Sequence, residues 1–135
     1  MHELSFNKLV TYDAGKPGIT LKVEIRLGSE AITTEAKVDT GAAVCIFQRE
    51  IGERLGLEIE TGTAKTIRTV TGSFKVFGHD VTLITGEFEF DSEVNFAEDL
   101  GFRQNVVGRL GWLDQMIIGI NDYDGKLYLT PYNSE

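Results

Sequence analysis

The residues most able to do chemistry in this sequence form one short run, Asp39-Thr40-Gly41-Ala42. The run follows a strand-like segment that ends at Val38, and it precedes a second apolar run that extends to Phe47. Asp and Gly are common in turns, so a turn at the end of a strand is the simplest interpretation. A surface turn usually has polar neighbours, however, whereas this carboxylate lies between two apolar runs. A partly desolvated carboxylate needs polar partners or a proton, and this makes Asp39 a candidate functional residue.

A second candidate segment lies far downstream, Asn105-Val106-Val107-Gly108-Arg109. Two apolar residues followed by Gly form a weak pattern alone, but the order of the two segments is specific. Together they resemble the retropepsin-like aspartic proteases, and the microbial single-domain members more than the viral ones. In that family Asp-Thr-Gly-Ala carries the catalytic aspartate, and the apolar-apolar-Gly segment threads beside it to complete a ψ-shaped arrangement of loops. The resemblance covers about Ile19 to Tyr132.

The resemblance implies a role for each residue of the motif. Asp39 is the catalytic carboxylate, Thr40 holds the loops of two subunits together, and Gly41 lets the substrate backbone approach because it has no Cβ. The hairpin around Gly72 resembles the flap, a mobile lid over the bound peptide. The implied substrate-binding residues are Ala42, Thr71, Gly72, Ser73, Gly108 and Arg109.

Two departures from the viral pattern stand out. The residue after Asp-Thr-Gly-Ala is commonly an Asp that pairs with the Arg of the second motif, but here it is Ala43. Arg109 therefore lacks its usual partner. The flap segment also lacks a Gly-rich tip.

The single Asp-Thr-Gly run implies two copies of the chain. Two carboxylates about 3 Å apart share one proton, so that one activates a water and the other stabilises the developing oxyanion. This chain supplies only Asp39, and a symmetric homodimer would supply the second. We therefore predict an aspartic endopeptidase that acts as a homodimer on peptide or protein substrates, without a cofactor or metal.

The composition of the chain disfavours several other classes of function. The formal net charge of −8 disfavours binding to nucleic acid or to an anionic membrane surface. The single cysteine, Cys45, excludes an intrachain disulfide, and its apolar neighbours indicate a small core residue rather than a nucleophile. No apolar run has the length of a membrane span. We expect a cytoplasmic protein.

The elements that would position the site are mostly strands. Residues 19–27 alternate strictly between apolar and polar, and 31–38 continue as the second arm of a hairpin. Further strands are predicted at 63–71, 74–77, 81–85, 88–90, 94–96, 117–120 and 127–129. Helical patterns occur at 48–55 and 110–116. The sequence thus predicts one all-β domain, residues 3–133, built as a small closed β-barrel of the acid-protease type with one or two short helices.

Two alternatives remain open at this point. The same fold could serve as a dimeric peptide-binding or interaction module with little hydrolysis, which Ala43 and the unusual flap favour. An unrelated small β-barrel, in which Asp-Thr-Gly is only a turn, is the other.

Overall fold

The computed structural model describes residues 1–134, and strands dominate it. Its strands are β1 (Lys8–Thr11), β2 (Thr20–Leu27), β3 (Glu30–Val38), β4 (Ile46–Phe47), β5 (Thr63–Thr69), β6 (Gly72–Thr85), β7 (Phe88–Ala97), β8 (Val106–Val107), β9 (Met116–Asn121) and β10 (Lys126–Pro131). The helical elements of this described part are α1 (Arg49–Arg54) and two 3-10 turns, Ile59–Thr61 and Leu113–Gln115. None of its helices is long and apolar enough to cross a membrane.

The first hairpin, β2 and β3, follows the alternation of its sequence. Apolar positions such as Val23 and Ile25 are fully buried, while the intervening polar residues point away from the core. Gly28 has a positive φ of 59° in the turn, a conformation that suits a residue without Cβ. The predicted hairpin is confirmed, and Asp39 is the first residue after β3.

Six of the strands form a closed hydrogen-bonded ring. The large sheet has the order β2-β3-β8-β4-β7-β6-β5, and β2 also pairs with β6, which joins the two ends of the first six strands. The ring surrounds an apolar core that includes Phe47, Phe96 and Trp112, each 1% exposed or less. The predicted all-β closed architecture is confirmed.

Strand β6 is longer than the sequence indicates. Gly78-His79-Asp80 was expected to interrupt it, but β6 runs unbroken, because Gly78 pairs with β5 on one side and with β7 on the other. The half-buried His79 places Nε2 2.8 Å from the carbonyl oxygen of Ile59. The helix expected at 110–116 is only the 3-10 turn Leu113–Gln115.

The chain ends meet in a separate three-stranded sheet, of order β1-β10-β9. Strand β10 is central in this sheet, and both of its edges are paired within the chain. Among the described strands of this sheet, β1 and β9 are the ones with an unpaired edge.

Candidate active site

Asp39 lies directly after β3, in a tight turn made by the motif itself. Its backbone N–H donates to the carbonyl oxygen of Val107 at 3.0 Å, which fixes the residue against β8. Its Oδ1 accepts a hydrogen bond of 3.0 Å from the Gly41 N–H, and its carbonyl oxygen accepts one from the Ala42 N–H at 3.1 Å. The backbone of Asp39 is therefore fixed on both sides, and its half-buried carboxylate accepts one main-chain hydrogen bond, from Gly41.

The second predicted segment threads past this turn, as the ψ-shaped arrangement requires. Strand β8 pairs in parallel with β3 and in antiparallel fashion with β4. Beyond it, the N–H groups of Arg109 and Leu110 donate to the carbonyl oxygens of Ala42 and Ala43, both at 2.9 Å. Two segments far apart in sequence are thus joined by backbone hydrogen bonds at the candidate site.

The two glycines of the site are required for different reasons. A Cβ built on Gly108 would lie 2.5 Å from the carbonyl oxygen of Val44 and 2.7 Å from that of Ala42, so the crossing loops leave no room for a side chain. A Cβ on Gly41 would meet only Oδ1 of Asp39, at 3.3 Å. Gly108 is therefore explained by the fold, whereas the packing of this chain alone does not demand glycine at position 41.

Cys45 is fully buried next to the segment that carries Gly108. The Gly108 N–H donates to its Sγ at 3.4 Å, and Sγ lies 3.6 Å from the carbonyl oxygen of Leu110. Burial raises the pKa of the thiol to about 11, so it stays protonated at physiological pH. The predicted role of Cys45 as a core residue is confirmed.

Asn105 holds the second segment in place, a role that the sequence pattern did not reveal. Its Oδ1 accepts a hydrogen bond of 3.0 Å from the Gln48 N–H, just before α1. Its Nδ2 donates to the hydroxyl of Thr34 at 3.2 Å and to the carbonyl oxygen of Glu35 at 3.3 Å. One side chain thus links β3, the start of α1 and the segment that carries Gly108.

A cavity of about 420 Å³ opens beside the motif, lined by 41–44, Ile46 and 66–68. Cavities of about 410 and 430 Å³ elsewhere on the chain do not include the motif. Residues 66–68 belong to β5, the first arm of the predicted flap hairpin, and they were not identified from the sequence. The hairpin itself is confirmed, with the exposed Val70 at its tip.

The remaining predicted site residues lie apart from this cavity. Thr71, Gly72 and Ser73 are exposed at the hairpin tip and do not line it, so their contact with a substrate stays a prediction. Thr40 is also exposed, and its hydroxyl makes no hydrogen bond within residues 1–134. The exposed Arg109 has no ion pair within the described part of the chain, in line with the missing carboxylate at Ala43. No group of His, Cys, Asp or Glu side chains in that same part could hold a metal ion.

Comparison with solved structures identifies the fold. A retropepsin-like aspartic protease from Rickettsia conorii matches with a TM-score of 0.64 and 17% identity over 96% of both chains. The EIAV protease complexed with the inhibitor HBY-793 matches with a TM-score of 0.57 and 22% identity, covering 74% of this chain and 88% of that one. No family model and no curated protein sequence matches the chain.

The chain therefore has the fold of the retropepsin-like aspartic proteases, and the resemblance drawn from its two motifs is confirmed at that level. The alternative of an unrelated small β-barrel is wrong. The Asp-Thr-Gly turn occupies the end of a strand in a fold that aspartic proteases share.

Proposed function

We propose that this protein is an aspartic endopeptidase, formed by the domain 3–133 and active as a homodimer. The observation that carries the proposal is the position of Asp39 in a retropepsin-like fold, where its backbone N–H bonds to Val107 and its carboxylate accepts a hydrogen bond from the Gly41 N–H. The Gly41 N–H holds one oxygen of this carboxylate in place before a substrate binds, and such preorganisation favours catalysis.

The homodimer follows from what one chain lacks. The sequence contains one Asp-Thr-Gly, and the carboxylate of Asp39 accepts no hydrogen bond from any side chain of the described residues. A twofold axis beside this turn would bring two Asp39 carboxylates together. The exposed hydroxyl of Thr40 and the glycine at position 41 also fit a site that a second chain and a substrate would cover.

The chemistry would use the two carboxylates as a pair. Repulsion between them leaves one proton on the pair, so the ionised carboxylate accepts a proton from a water that attacks the peptide carbonyl carbon. The protonated carboxylate donates a hydrogen bond to the developing oxyanion and then supplies the proton for the leaving amine. Because only the singly protonated pair is active, the rate should fall at both ends of an acidic pH range.

A dimeric peptide-binding module with little hydrolysis is the second candidate. The observation that favours it is the exposed Arg109, which has no ion pair among residues 1–134 and finds Ala43 where the viral pattern has an Asp. The two candidates predict the same dimer and the same peptide groove, and they differ in turnover alone.

The test is a digest of a peptide library by the wild type, Asp39→Asn and Asp80→Asn, followed by mass spectrometry. Asp80 is an exposed aspartate of β6 and serves as the matched control. We expect new peptide ends with the wild type and the control, and none with Asp39→Asn. Sedimentation at the same concentration should give about twice the 15.0 kDa chain mass for all three. Cleavage by Asp39→Asn at the wild-type rate would refute the proposal, and binding without cleavage by the wild type would favour the second candidate.

A further inference from the structure

The cavity beside the motif is mostly aliphatic, with two polar side chains, Thr66 and Arg68, in its lining. Its floor is made by 41–44 and Ile46, and its other wall is made by the β5 residues Thr66, Ile67 and Arg68. Arg68 is the only ionisable residue among those that line it. A side chain that enters the cavity would therefore meet aliphatic residues, the hydroxyl of Thr66 and one guanidinium group.

The two cations of β5, Lys65 and Arg68, differ in their partners within the described part of the chain. Lys65, three residues earlier on the same strand, donates to Glu93 at 2.7 Å and to the amide oxygen of Asn95 at 2.9 Å. Arg68 has neither an ion pair nor a side-chain hydrogen bond with the described residues. Position 43, which also lines the cavity, is an alanine and offers no carboxylate. A guanidinium group presents a planar fork of donors that fits a carboxylate with two parallel hydrogen bonds.

We infer that Arg68 selects peptides with an acidic side chain, glutamate above all, at the position that occupies this cavity. The inference rests on the proposed function, because it names the substrate class of the same site. Glutamate suits this lining, since its methylene groups would pack against Val44 and Ile46 while its carboxylate pairs with Arg68. The chain carries a net charge of −8, so attraction of an acidic peptide must come from such a local cation.

The experiment uses a peptide that the wild type cleaves in the library digest. Each residue near the scissile bond is replaced in turn by Glu, by Gln and by Lys, and kcat/KM is measured above the ordinary titration range of glutamate. We expect one position at which Glu is preferred over Gln by about twofold to fivefold, the range of a solvent-exposed ion pair. Arg68→Gln should bring this ratio to about one, and Arg68→Glu should replace it with a preference for Lys.

Arg54→Gln is the matched control, because Arg54 is an exposed arginine of α1 that does not line the cavity. It should keep the wild-type ratio. A ratio of one at every position in the wild type, or an equal loss of preference in both variants, would overturn the inference while leaving the protease intact.

A binding measurement separates the two proposals. The affinities of fluorescent Glu and Gln peptides are compared for the wild type, Asp39→Asn and Asp39→Asn with Arg68→Gln. Tighter binding of the Glu peptide that disappears with Arg68→Gln supports the inference even if the wild type cleaves nothing, a result that would refute the endopeptidase alone. If neither peptide binds or is cleaved, both proposals are wrong.

Discussion

Gly108→Ala is expected to destabilise the protein, because there is no space for a methyl group where the loop 41–44 packs against the segment that carries Gly108. The new Cβ would lie 2.5 Å from the carbonyl oxygen of Val44, about 0.9 Å short of ordinary contact, and 2.7 Å from that of Ala42. Both atoms belong to the backbone, so no side chain can rotate away. The loops must separate instead.

The magnitude follows from what that separation disrupts. The hydrogen bonds from Arg109 and Leu110 to Ala42 and Ala43 connect the two loops, and each contributes about 1 kcal/mol. Overpacking of a filled site adds about 1–3 kcal/mol. We therefore expect a loss of about 3–5 kcal/mol in the free energy of unfolding, a large part of the stability of a domain of this size.

The assay is urea unfolding followed by circular dichroism, in which a loss of 4 kcal/mol would lower the midpoint by about 2 M. Gly41→Ala is the matched control within the same site, since its Cβ would meet only Oδ1 of Asp39. We expect its stability to change by less than about 0.5 kcal/mol, whereas its peptidase activity falls, because the added methyl group would face the substrate. If Gly108→Ala unfolds at the wild-type midpoint, the argument from the loop crossing is wrong.

Three further predictions follow from particular contacts. Thr40→Ala should leave the unfolding of the single chain unchanged but weaken the dimer by about 1–3 kcal/mol per site, measured by sedimentation across a dilution series; an unaltered dimer would contradict a role across the axis. The Cys45 thiol has its ordinary pKa of 9.0 in the unfolded chain, but burial raises the pKa to about 11 in the folded protein. The stabilisation of the folded state by the protonated thiol is therefore complete below pH 9 and is lost as the pH rises through 11. Between pH 9 and pH 11 the free energy of unfolding of the wild type should therefore fall by about 2–3 kcal/mol more than that of Cys45→Ala. If the two proteins lose stability in parallel, the raised pKa of the buried thiol is wrong. Trp112→Phe removes the indole N–H that donates to the buried Thr85 hydroxyl at 3.0 Å. The free energy of unfolding, measured in urea or by heating, should fall by about 1–3 kcal/mol. An unchanged free energy of unfolding would show that this hydrogen bond does not stabilise the fold.

The local patterns of the sequence were enough for the elements that carry their own signal. Strict alternation predicted β2 within one residue of its observed start, because one face of that strand is buried and the other is not. The helix at 48–55 was also predicted, and Gly56 follows it with a φ of 90°. Asp39 was identified as a functional candidate because a carboxylate between two apolar runs is unusual in an ordinary turn.

Turn propensities gave a wrong prediction where the folded protein supplies a neighbouring strand on each side. Gly78, His79 and Asp80 read as a break, yet two neighbouring strands pair with this stretch and outweigh its local preference. Strand β1 was missed for a different reason: its four residues carry little pattern, and the strand forms by pairing with β10 on one side.

By itself, then, the sequence determined which residues alternate, where the chain turns and which carboxylate lies among apolar neighbours. It did not place Arg68 beside the motif, the side chain of Asn105 between three elements, or Gly108 against the carbonyl oxygens of Ala42 and Val44. These contacts join residues that are far apart along the chain. They exist only after the ring of strands has closed, so only the tertiary structure decided them.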